Sequence, residues 1–80
     1  MIKFYTNKGK TADQWSMDVR CLNGYDCYSF SNNPESPQGV NSFNGTIKDP
    51  KHEDEYQIDF DDIPEKVQEA MLMRLMPIRM

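Results

Sequence analysis

An alternating run of apolar and polar residues, followed at once by a turn signal, constrains the fold of this 80-residue chain more than any other feature. In "WSMDVRCL" the odd positions carry Trp15, Met17, Val19 and Cys21, whereas Ser16, Asp18 and Arg20 lie between them. Successive side chains of a strand point to opposite faces, so this pattern predicts a strand with one apolar face. The "NG" pair that follows is the strongest short-range signal for a hairpin turn. The sequence therefore predicts a β-hairpin over residues 14–31.

The register of this hairpin decides whether the two cysteines can meet. A two-residue turn at Asn23–Gly24 pairs Val19 with Tyr28 and leaves Cys21 and Cys27 on opposite faces. A three-residue turn would pair the two cysteines with each other but would set the apolar Val19 against a serine. The first register keeps the apolar side chains together, and it therefore favours two free thiols.

The remaining elements are shorter or less regular. Residues 2–6 ("IKFYT") predict a first strand, and residues 55–60 ("EYQIDF") predict a later strand with Tyr56, Ile58 and Phe60 facing inward. Residues 31–45 are rich in Asn, Ser, Pro and Gly and are interpreted as a long loop. A brief extended piece around residues 40–47 is the alternative for the end of that loop.

A C-terminal helix is predicted over residues 63–76. Val67, Met71 and Leu75 recur every four residues, Ile63 can pack beneath them, and Pro64 suits the first helical position. The complete prediction is an α+β fold in a single domain, residues 1–80: a small antiparallel sheet of three to four strands with one C-terminal helix packed on its apolar face. The expected core comprises Ile2, Phe4, Trp15, Met17, Val19, Tyr28, Phe30, Tyr56, Ile58, Phe60, Val67, Met71 and Leu75.

The charge distribution limits the classes of partner. The net charge is −4, and residues 49–80 carry nine acids against four bases. Such a surface repels phosphates, which argues against direct nucleic-acid binding and favours a basic protein partner. No apolar run approaches the ~20 residues of a membrane span, and the start "MIKFYTNKGK" lacks the apolar segment of a signal peptide. The expectation is a cytoplasmic protein without membrane contact.

Catalytic and metal-binding residues do not form a recognisable set. His52, the only histidine, lies in the charged stretch "DPKHEDE" and is expected in a solvated turn, without a sequence-level link to either thiol. Cys21 and Cys27 have a C-x5-C spacing, which differs from the C-x2-C of structural zinc sites. The prediction is a protein that is not an enzyme and that has no metal and no cofactor.

The stretch "EDEYQIDFDD" is the first candidate binding surface. It holds six carboxylates and no basic residue. On an extended strand, Glu53, Glu55, Asp59 and Asp61 would form a regular row on one face, at ~6.6–6.8 Å spacing. The alternative is an ordinary polar strand face whose charge deters aggregation. The predicted partner-binding residues are Glu53, Asp54, Glu55, Asp59, Asp61 and Asp62.

The methionine-rich end "AMLMRLMPIRM" is the second candidate surface. Met73 and Met76 lie well round the helix from Val67, so a single sheet cannot cover them. Exposed methionines suit an adaptable protein-binding or dimer surface. The predicted second interface comprises Met73, Met76 and Met80, and the alternative is a tail that wraps over its own core.

These observations favour a small acidic, non-enzymatic binding protein. By analogy of size and charge alone, it is similar to phage or mobile-element inhibitors of the anti-CRISPR kind, which can block a basic nucleic-acid-binding surface of a host protein or nucleoprotein complex. One alternative is a homodimerising assembly module that uses the methionine-rich helix. Another is a weak single-stranded nucleic-acid binder that uses Tyr5, Lys8, Lys10 and Arg20.

Overall fold

The fold is α+β, with one antiparallel sheet and one C-terminal helix. The computed structural model describes residues 2–36 and 39–76, with residues 43–46 described by their backbone alone. Its strands are β1 (Ile2–Thr6), β2 (Trp15–Cys21), β3 (Gly24–Phe30), β4 (Val40–Ile47) and β5 (Tyr56–Ile58). A 3-10 turn at Phe60–Asp62 leads into helix α1 (Glu65–Leu75). The predicted fold class is confirmed.

The sheet has five strands in the order β4-β3-β2-β1-β5, so the predicted three to four strands were too few. The additional strand is β4, where the sequence predicts a loop over residues 31–45 with a brief extended piece as the alternative. Its sequence, "VNSFNGTI", contains Asn, Ser and Gly at positions that an amphipathic strand fills with larger side chains. This composition conceals the period-two pattern, although the segment pairs with β3 from Phe30–Val40 to Tyr25–Ile47.

The hairpin forms as predicted, but its register differs by two residues. Cys21 pairs with Gly24, so the turn residues are Leu22 and Asn23 in place of the predicted Asn23–Gly24. A shift of two residues keeps every side chain on its predicted face. The observed register places the fully buried Phe30 between Trp15 of β2 and Val40 of β4, which extends the apolar face across three strands.

The helix covers the apolar face of the sheet. Among the described side chains, the buried core consists of Met17, Phe30, Ile63, Val67 and Met71. Most of the other predicted core residues pack around this cluster while remaining partly exposed. Ile2 and Tyr56 are the exceptions, with 38% and 52% of their surface exposed. Both lie at the ends of their strands, and the prediction that they are core residues was wrong.

The helix begins and ends close to its predicted limits of residues 63 and 76. Pro64 is the N-cap, and its carbonyl accepts hydrogen bonds from the backbone of Val67 and Gln68 at 2.9 Å. The Gln68 side chain donates to the carbonyls of Phe60 and Ile63, at 2.9 and 3.0 Å. These bonds join the helix to the 3-10 turn across Pro64.

The connection between β4 and β5, residues 48–55, joins the two opposite edges of the sheet, and we call it the crossover. The edges are four strand spacings apart, roughly 19 Å, and an extended segment of this length reaches about 26–29 Å. The crossover therefore passes directly over the sheet. It passes over the face opposite to α1, because His52 contacts Tyr5 and Asp18, which alternate with the core residues of β1 and β2.

Within the described ranges, no helix has the length and apolar character needed to cross a membrane.

Candidate functional site

The acidic stretch of residues 53–62 does not form the continuous charged strand face that the sequence predicts. Only Tyr56–Ile58 pairs with the sheet, whereas the predicted strand covers residues 55–60. Asp54 before it has a positive φ of 62° in a turn, and Asp59 after it is the N-cap of the 3-10 turn. The backbone changes direction on both sides of β5, so the alternation of inward and outward side chains does not extend over the whole stretch.

Glu55 differs from the other acids of this stretch because its side chain points into the protein. Only 18% of that side chain is exposed. Its Oε1 lies 2.6 Å from Nδ1 of His52, and its Oε2 accepts a hydrogen bond from the Ser16 hydroxyl at 3.0 Å. Both carboxylate oxygens are therefore engaged within the chain, and Glu55 is not available as the outward-facing contact that the sequence predicts.

The other five predicted residues remain on the surface, and we call them the acidic edge: Glu53, Asp54, Asp59, Asp61 and Asp62. Two of these carboxylates make side-chain contacts within the chain. Asp62 accepts a hydrogen bond from the backbone N–H of Asp59 at 3.1 Å, and Asp54 lies 3.4 Å from the Lys10 ammonium. The pair of Asp54 and Lys10 is highly exposed, so it contributes little to stability. The acidic edge therefore keeps most of its negative charge available to a partner.

Tyr56 lies between the two halves of the acidic edge, on the outermost strand of the sheet. Its ring is half exposed, and the Lys8 ammonium lies 4.2 Å from the ring centroid. Among the residues that the structure describes, β5 pairs with β1 alone, so the other side of this strand has no sheet partner there. A partly exposed tyrosine on such an edge is a typical anchor of protein interfaces, because the ring supplies apolar contact area and a polar hydroxyl.

The second cluster in the structure surrounds His52, and we call it the His52 latch: Tyr5, Ser16, Asp18, His52 and Glu55. Nε2 of His52 lies 2.6 Å from Oδ2 of Asp18, and Nδ1 lies 2.6 Å from Oε1 of Glu55. The imidazole ring stacks on Tyr5, with centroids 3.7 Å apart and planes inclined by 13°. Only 15% of the His52 side chain is exposed, so the expectation of a solvated turn was wrong.

The carboxylates of the latch favour the charged form of His52. Burial lowers the pKa of His52, but hydrogen bonds from its ring to Glu55 and Asp18 and the charges of both carboxylates raise it, and the net shift is upward from the ordinary value of 6.5. The pKa of Tyr5 is also raised, first by burial and then by the negative charge of Asp18. Tyr5 therefore remains neutral, and its ring face is suited to contact with an imidazolium cation.

Asp18 is the most buried carboxylate of the latch, with 4% of its side chain exposed. In the described part of the chain, Oδ1 of Asp18 is the one buried side-chain oxygen or nitrogen without a hydrogen-bond partner. Cys27 of β3 pairs with Asp18 of β2, whereas the register predicted from the sequence would have paired Cys27 with Arg20. Burial, followed by the neighbouring Asp18 charge, raises the pKa of the Cys27 thiol to about 12.

The geometry of the latch is that of a structural cluster. Both ring nitrogens of His52 face carboxylate oxygens, so neither has a free lone pair with which to accept a proton from a substrate. The Ser16 hydroxyl donates to Glu55 and not to the imidazole, and Cys27 is protonated at neutral pH. Among residues 2–36 and 39–76, no group of three or more His, Cys, Asp and Glu side chains has the geometry to hold a metal ion. Both cysteines are free.

The basic and aromatic residues proposed for a nucleic-acid edge are engaged in contacts within the chain. Tyr5 is covered by His52, Lys8 lies over Tyr56, and Lys10 pairs with Asp54. The Arg20 guanidinium lies 5.4 Å from the centroid of the Tyr25 ring. Arg20 also lines a shallow surface depression with Lys48 and Leu22 at the hairpin end. These residues do not form one surface, because Lys8 and Lys10 lie in the connection that precedes β2, whereas Arg20 lies near the opposite end of that strand.

The methionine-rich helix face is exposed in part as predicted. Met73 and Met76 have 74% and 65% of their surface exposed, and Leu72 beside them has 46%. Met73 also lines a groove between α1 and the segment that precedes β4, together with Pro34, Val40 and Ala70. Met80 lies outside the described residues.

Comparison with known proteins found no matching family model, no matching curated protein and no matching solved structure.

Two signals in the sequence could have identified the latch. Asp18 is a charged residue in the middle of an amphipathic strand that turns out to be central, where a carboxylate requires partners. His52 and Glu55 are three residues apart and within reach of one another, but pairing either of them with Asp18 depends on the route of the crossover. That route follows from the order of the five strands, and the order was not predicted because β4 was read as part of a loop.

Proposed function

We propose that this protein is a small acidic binding protein that occupies a basic surface of another protein through the acidic edge and Tyr56. The observation that carries the proposal is a half-exposed tyrosine on an outer strand, flanked along the chain by five exposed carboxylates. The tyrosine supplies apolar contact area, and the carboxylates supply charge complementary to Arg and Lys side chains. No contact with a substrate or cofactor is required for this activity.

The partner that this surface fits best is a basic groove that otherwise binds nucleic acid. Such grooves carry several Arg and Lys side chains, and their phosphate contacts are charge-assisted hydrogen bonds that carboxylates can also accept. A protein bound in the groove would exclude the nucleic acid and would act as an inhibitor. The outer side of β5, which pairs with no other described strand, allows the partner to add main-chain hydrogen bonds to this contact.

The test is a charge reversal that avoids residues with structural roles. Glu55 and Asp59 are unsuitable positions, because Glu55 belongs to the latch and Asp59 caps the 3-10 turn. The binding variant is Glu53→Lys with Asp61→Lys, and the control is Glu35→Lys with Glu69→Lys, which changes the net charge equally at exposed sites elsewhere. Each immobilised protein is used to capture partners from an extract of the source cells, with circular dichroism as the check of folding.

We expect the wild type and the control to retain one and the same basic partner, and the binding variant to lose it. The isolated partner should then bind labelled DNA or RNA less tightly when the wild-type protein is added. A folded binding variant that retains the partner as well as the control does would refute the acidic edge as the binding surface. A partner whose nucleic-acid binding is unaffected would refute the inhibitory role.

Self-association through α1 is the second candidate function. Leu72, Met73 and Met76 are adjacent on the outward side of the helix, and together they expose a contiguous apolar surface. Two copies related by a two-fold axis could bury these side chains against each other. In this case the acidic edge would serve solubility alone.

A further inference from the structure

The crossover is attached to the sheet mainly through one side chain. Lys48, Asp49 and Lys51 are exposed, and the ion pair of Asp54 with Lys10 lies on the surface. His52, by contrast, contacts two strands at once: it stacks on Tyr5 of β1 and reaches Asp18 of β2. Glu55 completes the attachment through Ser16 of β2. The position of the crossover therefore depends on what the imidazole ring can bind.

The ring can bind both carboxylates only while it carries two protons. Ionised Asp18 and Glu55 accept hydrogen bonds and cannot donate them, and each lies 2.6 Å from a different ring nitrogen of His52. When the ring loses a proton, one nitrogen presents a lone pair to a carboxylate oxygen. An attraction between opposite charges is then replaced by repulsion between a lone pair and an anion.

We propose that the His52 latch is a pH-dependent switch. It holds the crossover on the sheet while His52 is doubly protonated, and it releases the crossover when the ring loses a proton. The titratable groups that face the ring come from three elements: Tyr5 from β1, Asp18 from β2 and Glu55 from the crossover itself. Cys27 of β3 and Lys3 of β1 are opposite Asp18 in the two neighbouring strand pairs. Cys27 is neutral over the range considered, because its pKa is about 12.

The direction of the effect follows from the raised pKa of His52. Stabilisation by the latch is fully present below the unfolded pKa of about 6.5, and it is lost as pH rises through the higher pKa of the folded protein. The latch is therefore closed below about pH 6.5 and opens as the pH rises through the raised pKa of His52. Tyr5 does not cause the opening, because its own pKa is raised from 10.

The test uses nuclear magnetic resonance, for which the single histidine makes the imidazole signals unambiguous. His52 is titrated between about pH 5.5 and pH 9.5, and the nuclear Overhauser effect between the rings of Tyr5 and His52 is recorded at each step. We expect a midpoint above that of an unperturbed histidine, about 6.5, and a ring-to-ring effect that disappears with the same midpoint. The Glu55 amide donates to the His52 carbonyl, and its protection from exchange, measured relative to the intrinsic exchange rate at the same pH, should fall in parallel.

A matched pair of variants separates the latch from general charge effects. In Glu55→Gln the side-chain amide can accept from a ring N–H or donate to a bare ring nitrogen, so the ring contact should persist across the titration. In Glu53→Gln, which removes the same charge at an exposed position, the contact should disappear as in the wild type. A ring-to-ring effect that persists in the wild type after His52 is deprotonated, or a His52 midpoint at or below about 6.5, would overturn the proposal.

Discussion

Nε2 of His52 lies 2.6 Å from Oδ2 of Asp18, although 34 residues separate the two along the chain. The contact joins the crossover to the centre of the sheet and balances the charge of a carboxylate that is almost fully buried. Replacing His52 would leave Asp18 and Glu55 without the cation between them. Removing one partner of a buried ion pair costs more than the pair contributes, because the remaining charge stays desolvated.

The first prediction is that His52→Ala lowers the free energy of unfolding by roughly 3 kcal/mol near pH 6. The loss should become smaller toward alkaline pH, because the wild type itself loses the latch as pH rises through the raised pKa of His52. Urea unfolding followed by the fluorescence of the single tryptophan, Trp15, measures both quantities. Lys51→Ala, at the exposed neighbouring position, serves as the control and should change stability by less than about 0.5 kcal/mol. Equal losses for His52→Ala at both ends of the pH range would contradict the prediction.

The outcome at His52 shows which parts of this structure local sequence patterns can predict. The alternation in β2 and the four-residue spacing of Val67 and Met71 are local, and they correctly predicted the apolar sheet face and the helix that covers it. The opposite face depends on the route of residues 48–55, which follows from the order of the strands. Without that route, a histidine in a charged segment is predicted to be solvated. Its partner Asp18 is 34 residues away along the chain, so no local pattern connects the two.

The acidic stretch illustrates a second limit. Its composition correctly indicated exposed negative charge, and five of the six predicted residues are exposed. The predicted row from Glu53 to Asp61 required nine extended residues, whereas the chain turns at Asp54 and again after Ile58. The turn after Ile58 is needed to bring Ile63 and the helix over the sheet, so tertiary packing prevailed over the local strand pattern.

The second prediction concerns the core beneath the helix. Met71 is fully buried, whereas the adjacent Leu72 is nearly half exposed. Met71→Ala should lower the free energy of unfolding by about 2–5 kcal/mol, because it removes apolar contacts and leaves a cavity. Leu72→Ala removes a side chain of similar size from the surface and should cost less than about 1 kcal/mol. Urea unfolding measures both, and similar losses at the two positions would contradict the observed orientation of the helix.

The third prediction separates the two cysteines by reactivity. Because the pKa of Cys27 is about 12, only about one Cys27 thiol in ten thousand is ionised near pH 8. The pKa of Cys21 is also raised, chiefly by its hydrogen bond with Asp26, but no shift as large as that of Cys27 is found for it, and its side chain is partly exposed. Iodoacetamide should therefore modify Cys21 faster than Cys27 in the folded protein. Mass spectrometry of the variants Cys21→Ser and Cys27→Ser, folded and in urea, provides the measurement and its control. Faster modification of Cys27 in the folded state would contradict the burial described for it.

The fourth prediction tests self-association through the helix. If two copies meet through Leu72, Met73 and Met76, multi-angle light scattering should give twice the 9.4 kDa mass of one chain. Met73→Glu with Met76→Glu should then give the mass of one chain, because four carboxylates in a two-fold interface would be desolvated and would repel each other. The control is Glu65→Gln, on the first turn of α1. Gln68 is unsuitable as a control, because its side chain donates to the carbonyls of Phe60 and Ile63. A wild type with the mass of one chain across the accessible range of concentration would refute self-association and would leave the acidic edge as the binding surface to be tested.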